Sequence, residues 1–558
     1  MYPNDRVATF IAQNFIPVKI HIKQQPDTFK RFGVQWTPTL LTLDSSGVER
    51  YRFEGFLPVT DFLAQLALGL GHTAFAHEQW REAEERFRSI VRDFPETDAA
   101  PEALYWAGVS RYKGGDRAAL ADTAKQFQTS YAATSWEEGV GVGQPLSTGA
   151  AGEPSCQICI AGGGPAGIML GLLLARSGIR VKVLEKHSDF FRDFRGDTIH
   201  PSTLEILDEL GLLDEFLKLP HQEVRQLRGQ IGDTTLTLAD FTHLPVRCKF
   251  LVFMPQWDFL NFLAERARVY PGFQLEMESE VTGLTFDGGR VTGVRVRTPA
   301  GVREVLADLV VGTDGRDSTV REAAGLPSIE FGAPMDVLWM RVSRRPGDPR
   351  QLLGRVDYGQ IFVMIDRGDY WQCGLVVRKG ALAEIQRRGL EALRADIRRL
   401  APFLGERVAE LRDWRDIKLL TVQVDRLRRW YRDAVLCIGD AAHAMSPVAG
   451  VGINLAIQDA VAAANILVPA LRDNGTVSVA ALAAVQERRE LPTKVTQRAQ
   501  LLIQDGIIRR VLGRGREGRM TPPLIVRLLG GVPLLRRIPA RLVGLGFRRE
   551  HVMTQPAV

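Results

Sequence analysis

The spacing of apolar residues changes several times along this 558-residue chain, and each change predicts a different kind of element. Between Cys156 and Glu185 a short apolar run (CQICIA) meets a glycine cluster. An apolar stretch of helical length follows, and a second short run (VKVLE) ends in an acid. Uninterrupted apolar runs this short read as buried strands, so the segment predicts strand, turn, helix, strand. Two further buried strands, in LVVGTDGRDSTVR from Leu309 and in VLCIGDAAHAMSPVAGVGINLAIQD from Val435, each run into a Gly/Asp pair and then a helix start. Between them the period shortens to two. MDVLWMRVSR, GQIFVMID and YWQCGLVVR alternate, and Arg367-Gly368-Asp369 supplies a turn. This predicts an antiparallel sheet inserted into the α/β rhythm, near residues 224–247 and 333–417.

Ahead of Cys156 the character differs. Residues 16–22 (IPVKIHI) alternate like a strand, residues 40–43 form another, and residues 44–47 give a turn signal. From 75 to 112 the period is helical, with Pro95 ending the first of two runs, and residues 131–154, rich in Gly, Ser and Pro, read as a linker. Beyond residue 480 a basic, apolar helical region extends to 558.

The glycine cluster carries the first chemistry. Gly162-x-Gly164-x-x-Gly167 between a strand and a helix is the dinucleotide-binding turn: Gly162 for the tight bend, Gly164 for close approach of a pyrophosphate, Gly167 for helix-on-strand packing. The helix start then offers free N–H groups to the diphosphate. Glu185 stands where a carboxylate accepts from a ribose 2′-hydroxyl and repels a 2′-phosphate. Asp440 falls at a strand's carboxyl end, where open α/β sheets bind ligands, and the loop after it presents amides at another helix start.

In this order and at these separations, the three segments resemble the group A flavoprotein monooxygenases, of the para-hydroxybenzoate hydroxylase and ubiquinone-biosynthesis hydroxylase type, over residues 155–480. The resemblance implies an α/β fold: a Rossmann-like FAD-binding domain with an inserted antiparallel substrate sheet. It implies FAD held by Gly162, Gly164, Pro165, Ala166, Gly167, Glu185 and Lys186. Gly439 and Asp440 would meet the ribityl chain, and Pro447, Gly450, Gly452, Ile453 and Asn454 the flavin ring. Asp314-Gly315 matches the family's motif for FAD and nicotinamide use, Arg195 an arginine of the diphosphate region, and Gln256 a residue near the ribityl or ribose hydroxyls. NADH or NADPH would reduce the flavin. O2 would then add at C4a, and the hydroperoxide would hydroxylate an aromatic or otherwise electron-rich apolar small molecule. Trp339, Met340, Phe362 and Trp371 are candidates for the substrate wall. No catalytic base is named; Pro447 and His200 are the candidates nearest the chemistry, and His443 reads as structural. A halogenase or an isoprenoid-type reductase of the same fold is the alternative, although the halogenase WxWxIP signature is missing.

Residues 36–40 (WTPTL) and the LDSSGVERYRFEGF after them resemble the second half of a thioredoxin fold over residues 1–70. No cysteine precedes Cys156, so this partial segment lacks CxxC and cannot do thiol–disulfide chemistry. Residues 71–130 resemble tetratricopeptide helices, fewer than the usual three repeats. The pair of segments reads as a docking or packing module.

Charge and cysteine content add exclusions. Net charge is +6, but 65 acidic residues are dispersed among 71 basic ones, so no nucleic-acid footprint emerges. Five scattered cysteines form no disulfide framework and suit a reducing cytoplasm; Cys156 and Cys159 lie inside a buried strand, and no metal pattern accompanies them. From 509 to 550 there are eleven arginines, two acids and no lysine among apolar residues. Two readings stand: a helical layer on the flavin domain, or peripheral contact with an anionic membrane. The oligomeric state is not legible.

Overall fold

The computed structural model describes residues 4–20, 32, 39–54, 57–97, 99–116, 118–130, 156–191, 198–349, 354–513 and 520–557. Arg195, Trp36, Pro38 and the linker read over 131–154 therefore lie outside the described residues. The chain divides into two compact units, residues 1–152 with 300–303, and residues 153–299 with 304–558.

In the first unit the hairpin Thr39–Leu43/Glu49–Glu54 turns at Asp44, whose Oδ1 accepts from Ser46 and Val48 N–H. Helices Val59–Ala76, Trp80–Asp93, Ala99–Lys113 and Ala119–Ser130 follow. They pack through small residues: a Cβ on Gly71 would come within 2.5 Å of the Phe87 ring, and one on Gly108 within 2.3 Å of Thr123 Oγ1. The boundary expected between residues 70 and 71 falls inside Val59–Ala76. Residues 16–20 carry no strand. Ile16 and Val18 are 93% and 75% exposed, so alternation there meets no packed face, and a strand without a partner gains nothing from it.

The second unit is built on an eight-stranded sheet. Its strands run Phe273–Glu276, Val181–Leu184, Cys156–Ala161, Gly301–Gly312, Arg290–Thr298 and Glu280–Asp287 in space, with Val435–Cys437 also pairing on Gly301–Gly312 and Tyr431–Arg432 pairing on Val435–Cys437. The first four and Val435–Cys437 are mutually parallel, and where both faces are covered, as in residues 158–161, 309–312 and 435–437, the sequence is continuously apolar. Parallel register sets Ala161 beside Leu184 and Gly312, and Gly312 beside Cys437. The turns at Gly162, Thr313 and Gly439 therefore emerge on one edge, together with Glu185.

The insertion is a seven-stranded sheet in the order Lys418–Leu420, Met335–Ser343, Tyr370–Arg378, Gln360–Asp366, Gly354–Asp357, Gln226–Ile231, Thr234–Asp240. It is mixed rather than wholly antiparallel: Gly354–Asp357 runs parallel to Gln226–Ile231, because the two come from insertions far apart in the chain. Helices Leu382–Arg388 and Leu390–Leu400 cover one face of it, burying Leu338, Met340, Phe362 and Trp371 with Ile385, Leu393 and Ile397. The helix spanning Val448–Arg472, long and apolar enough to cross a membrane, is a core helix, with 72% of its apolar window buried.

The C-terminal residues belong to this unit. Ala540 and Leu545 join the core with Val337 and Trp339; a Cβ on Gly544 would approach Leu244 at 2.8 Å; and Ala557 N–H donates to Arg176 O at 2.8 Å. The helical-layer reading describes these contacts.

Candidate functional site

The strand-end turns are shaped by glycines that no other residue replaces. Gly162 has φ +103°, and a Cβ there would lie 2.6 Å from Thr313 O. On Gly167 a Cβ would lie 2.1 Å from Gly162 O, so this glycine lets the helix Pro165–Arg176 sit against the strand end. Gly164 has open space instead, its nearest neighbour being Thr313 O at 4.0 Å, and Pro165 opens the helix where its missing N–H costs nothing. The result is a helix N-terminus with room before it. Thr313 Oγ1 donates to Gly162 O at 2.7 Å and fastens the neighbouring turn to this one.

Around that point Gly162, Gly164, Pro165, Ala166, Glu185, Lys186 and Gln256 line one cavity of about 690 Å³ with Asp314, Gly315 and Asp440. Glu185 is pinned at its edge, accepting from Gly163 N–H at 2.9 Å and His187 N–H at 3.1 Å. Asp440 lines the same cavity and is paired with Arg316 Nε at 3.4 Å. Asp314 also lines the cavity, but its carboxylate closes its own turn: Ser318 Oγ donates at 2.5 Å and Val320 N–H at 3.1 Å. Burial pushes the Asp314 carboxyl above the usual carboxylate range in spite of these bonds.

The cavity continues past Pro447, Gly450, Gly452 and Ile453 to the uncovered face of the inserted sheet. There Met335, Val337, Trp339, Ile361, Val363, Ile365 and Val376 form the wall. Of the four wall candidates only Trp339 faces the cavity. Met340, Phe362 and Trp371 point the other way, because successive strand residues alternate faces and the covering helices bury that second face too. The indole of Trp339 lies over its cross-strand partner Gly374, where a Cβ would approach the ring at 2.8 Å. Among the described lining residues of this apolar half, only Arg228 and Arg355 are ionisable.

Three motif residues do their work behind the cavity. Asn454, outside the lining, accepts at Oδ1 from His200 N–H and Thr203 Oγ1, both at 2.8 Å, and donates to Thr198 O at 3.1 Å; it ties the helix start at Gly452 to the segment entering Pro201–Glu209. His200 does not face the cavity. Its ring is fully buried with Nδ1 on Val543 O at 2.7 Å, and burial lowers its pKa to about 4, so it stays neutral and serves packing rather than proton transfer. His443 Nε2 meets Asp459 Oδ2 at 2.6 Å, deep in the core.

Two contributions went unread in the sequence. Asp459 receives Gly439 N–H at 3.1 Å as well as His443, and its Oδ1 accepts from Arg489 Nε at 2.8 Å. Burial opposes its ionisation, but His443 and Arg489 hold the carboxyl below the usual range. A row of buried glutamines, Gln497, Gln500 and Gln504, bonds the segment carrying Ser446 and Val448. Their i, i+3, i+7 spacing was the available signal.

Against known proteins, a family described as an FAD binding domain matches residues 155–499. The 6-methylpretetramide 4-monooxygenase of Streptomyces rimosus is 35% identical over 388 residues, covering 69% of this chain and 91% of that protein. The 12-dehydrotetracycline 5-monooxygenase/anhydrotetracycline 6-monooxygenase of Streptomyces rimosus subsp. rimosus is 30% identical over 315 residues, covering 54% and 61%. Among solved structures, the OxyS anhydrotetracycline hydroxylase from Streptomyces rimosus superposes with TM-score 0.54 at 26% identity, over 70% of this chain and 75% of that one.

The buried His200 makes a pH dependence. Its folded pKa lies below the unfolded value of about 6.5, so the unfolded chain binds the extra proton and stability falls as pH drops from about 6.5 toward 4. Urea unfolding at pH 7 and pH 5 should show His200→Gln losing roughly 2 kcal/mol less than the unaltered protein across that interval. Equal losses in the two proteins refute the placement.

Proposed function

We propose, from the premise that this chain belongs to the FAD-dependent aromatic monooxygenases, that its substrate is a fused-ring phenol of the polycyclic kind on which the tetracycline-related relatives act. FAD is the cofactor, a nicotinamide the electron donor and O2 the oxygen source; when bound, FAD supplies the two-electron chemistry and the activation of oxygen. The observation that carries the substrate reading is the continuous cavity, with a glycine-lined nucleotide end and an apolar end walled by a sheet face.

Within it, the helix start at Gly164–Ala166 suits the diphosphate, Glu185 a ribose hydroxyl, and Asp440 the ribityl chain; Pro447 to Ile453 suit the ring edge. These roles follow from the open space before Gly164 and from the carboxylates that project at the strand ends. The flat indole of Trp339 supports stacking of a planar substrate. The ionisable residues lining the apolar half, Arg228 and Arg355, have their guanidinium groups engaged elsewhere, Arg228 exposed on Gln226 and Arg355 on Asp357 and the Leu400 carbonyl, so activation of a phenol rests on its own acidity rather than on a protein base. The halogenase and reductase alternatives gain no support from these relatives.

We also propose contact with an anionic membrane surface. It is supported by Leu534, Ile538 and Leu542, which are exposed at intervals of one helical turn with exposed Arg537 and Arg541 beside them.

Asp440→Ala should weaken FAD binding by about 10- to 100-fold in a fluorescence titration, the loss of roughly 1.5–3 kcal/mol expected for a charged acceptor. Unchanged affinity removes Asp440 from the cofactor site. Fused-ring phenols should accelerate NAD(P)H oxidation more than single-ring phenols do, with one atom of ¹⁸O2 in the product. Products of unchanged mass with all electrons in peroxide, or a halide requirement, would overturn the substrate reading. Full-length protein should sediment with phosphatidylglycerol vesicles and not with phosphatidylcholine ones, and Ile538→Asp should abolish this; sedimentation with neither, or with both alike, ends the membrane reading.

A further inference from the structure

The helix Val479–Ile503 runs without a break into a π turn, Gln504–Ile508, in which Arg509 N–H reaches back to Gln504 O. A π turn inserts one residue into the helical ladder and is frequent at functional sites. Here it begins at a fully buried glutamine and ends at Ile508, which lines the apolar half of the cavity.

The glutamine row facing inward holds a segment that has no regular structure of its own. Residues 443–446 belong to neither helix nor strand, yet Ser446 to Gly450 line the cavity between its nucleotide end and its apolar end. Gln497 Nε2 donates to Ala444 O at 3.1 Å and Asp425 O at 2.6 Å. Gln500 Nε2 donates to the carbonyls of Ser446 and Val448, both at 2.9 Å, and its Oε1 accepts from Ser446 N–H at 3.2 Å. Gln504 Nε2 reaches the Ser446 hydroxyl at 2.6 Å, and Val448 N–H meets the same oxygen at 3.3 Å. Toward this segment Gln497 and Gln500 bind backbone, as any loop anchor does, while the Gln497 Oε1 accepts from Arg426. Gln504 grips a side chain of the segment itself, and that side chain is the residue before Pro447.

We infer that Gln504 is a positioning residue for the flavin ring: through Ser446 it sets the height and tilt of the Pro447–Gly450 backbone against which the ring lies. The inference rests on the reading that this loop faces the ring. It explains why the π turn starts where it does, since one geometry places Gln504 under Ser446 and Ile508 in the wall. Diphosphate and ribose contacts lie at the other end of the cavity, so loss of this bond should change how the ring is held more than how tightly FAD is bound.

The test uses the full chain loaded with FAD, in the variants Gln504→Leu, Ser446→Ala and the two combined. Gln504→Leu should keep its FAD dissociation constant within about threefold of the unaltered protein while the visible circular dichroism of the bound flavin falls by about half. Ser446→Ala, which also frees the Val448 N–H, should reproduce the spectral shift, and the double variant should go no further than Ser446→Ala alone, because the Gln504–Ser446 bond is already lost in each single variant. Native flavin dichroism in both single variants, or additive losses in the double, would overturn the assignment to Gln504. Failure of Asp440→Ala to weaken FAD would instead count against the cofactor placement on which it rests.

Discussion

Asp459 is the charge on which the flavin half of this molecule is hung. Its carboxylate, with no solvent access, takes the Gly439 N–H, the His443 ring and the Arg489 guanidinium at once, and Arg489 continues to Glu550 Oε1 at 3.3 Å. A buried carboxylate with these partners is stable only as a set: removing one member leaves the others charged or polar in a medium that cannot solvate them. The set joins three remote parts of the chain, namely the turn after Val435–Cys437, the long helix Val479–Ile503 and the C-terminal tail. It lies beneath the Gly439-Asp440 turn, so that the half-buried Asp440 stands on a rigid base with its own carboxylate at the cavity, paired with Arg316.

Around this anchor, backbone geometry and side chains have separate tasks. Parallel register brings the ends of four strands to one edge, and steric necessity at Gly162 and Gly167 closes the first turn tightly enough for Thr313 to bond across it. Polar side chains then fasten the loops to one another: Asn454 to the segment at His200, Asp314 to its own turn, Glu185 to Gly163. Much of what a motif search reads as ligand-binding chemistry is in this fold loop-holding chemistry, and the two are compatible because a loop must be held before it can bind.

This explains which parts were legible in the sequence. The glycine turn and its flanking strands were readable because each residue type answers to a local steric demand, and the order of the motifs followed from where parallel strands end. Strand parity in the inserted sheet was not. A half-buried strand shows its inner face as the apolar one, but Met335–Ser343 is apolar on both faces, one turned to the cavity and the other to the helices Leu382–Arg388 and Leu390–Leu400. Nothing in MDVLWMRVS distinguishes Trp339 from Met340 until the covering helices are placed. Residues 16–20 show the converse, an alternating pattern with nothing to pack upon. Asp459 and the glutamine row were missed for a third reason: buried polar residues in long helices look like solvent-facing ones until their partners, up to 72 residues away in the case of Gln497 and Asp425, are known.

The apolar half of the cavity draws its wall from residues as far apart as Leu227 and Ile508, so it exists only once the inserted sheet, the loop at Ser446 and the C-terminal helices have all docked. Such late assembly has a chemical use. Oxygen transfer to an aromatic ring needs water kept from the reacting atoms, and a site closed by several independent segments excludes water without any one of them being rigid alone. On the proposed function the wall then contributes shape and dryness rather than charge, since Arg355 is spent on Asp357 and the Leu400 carbonyl and Arg228 stands in solvent; a fused, conjugated ring system is the kind of phenol acidic enough to ionise without a protein base.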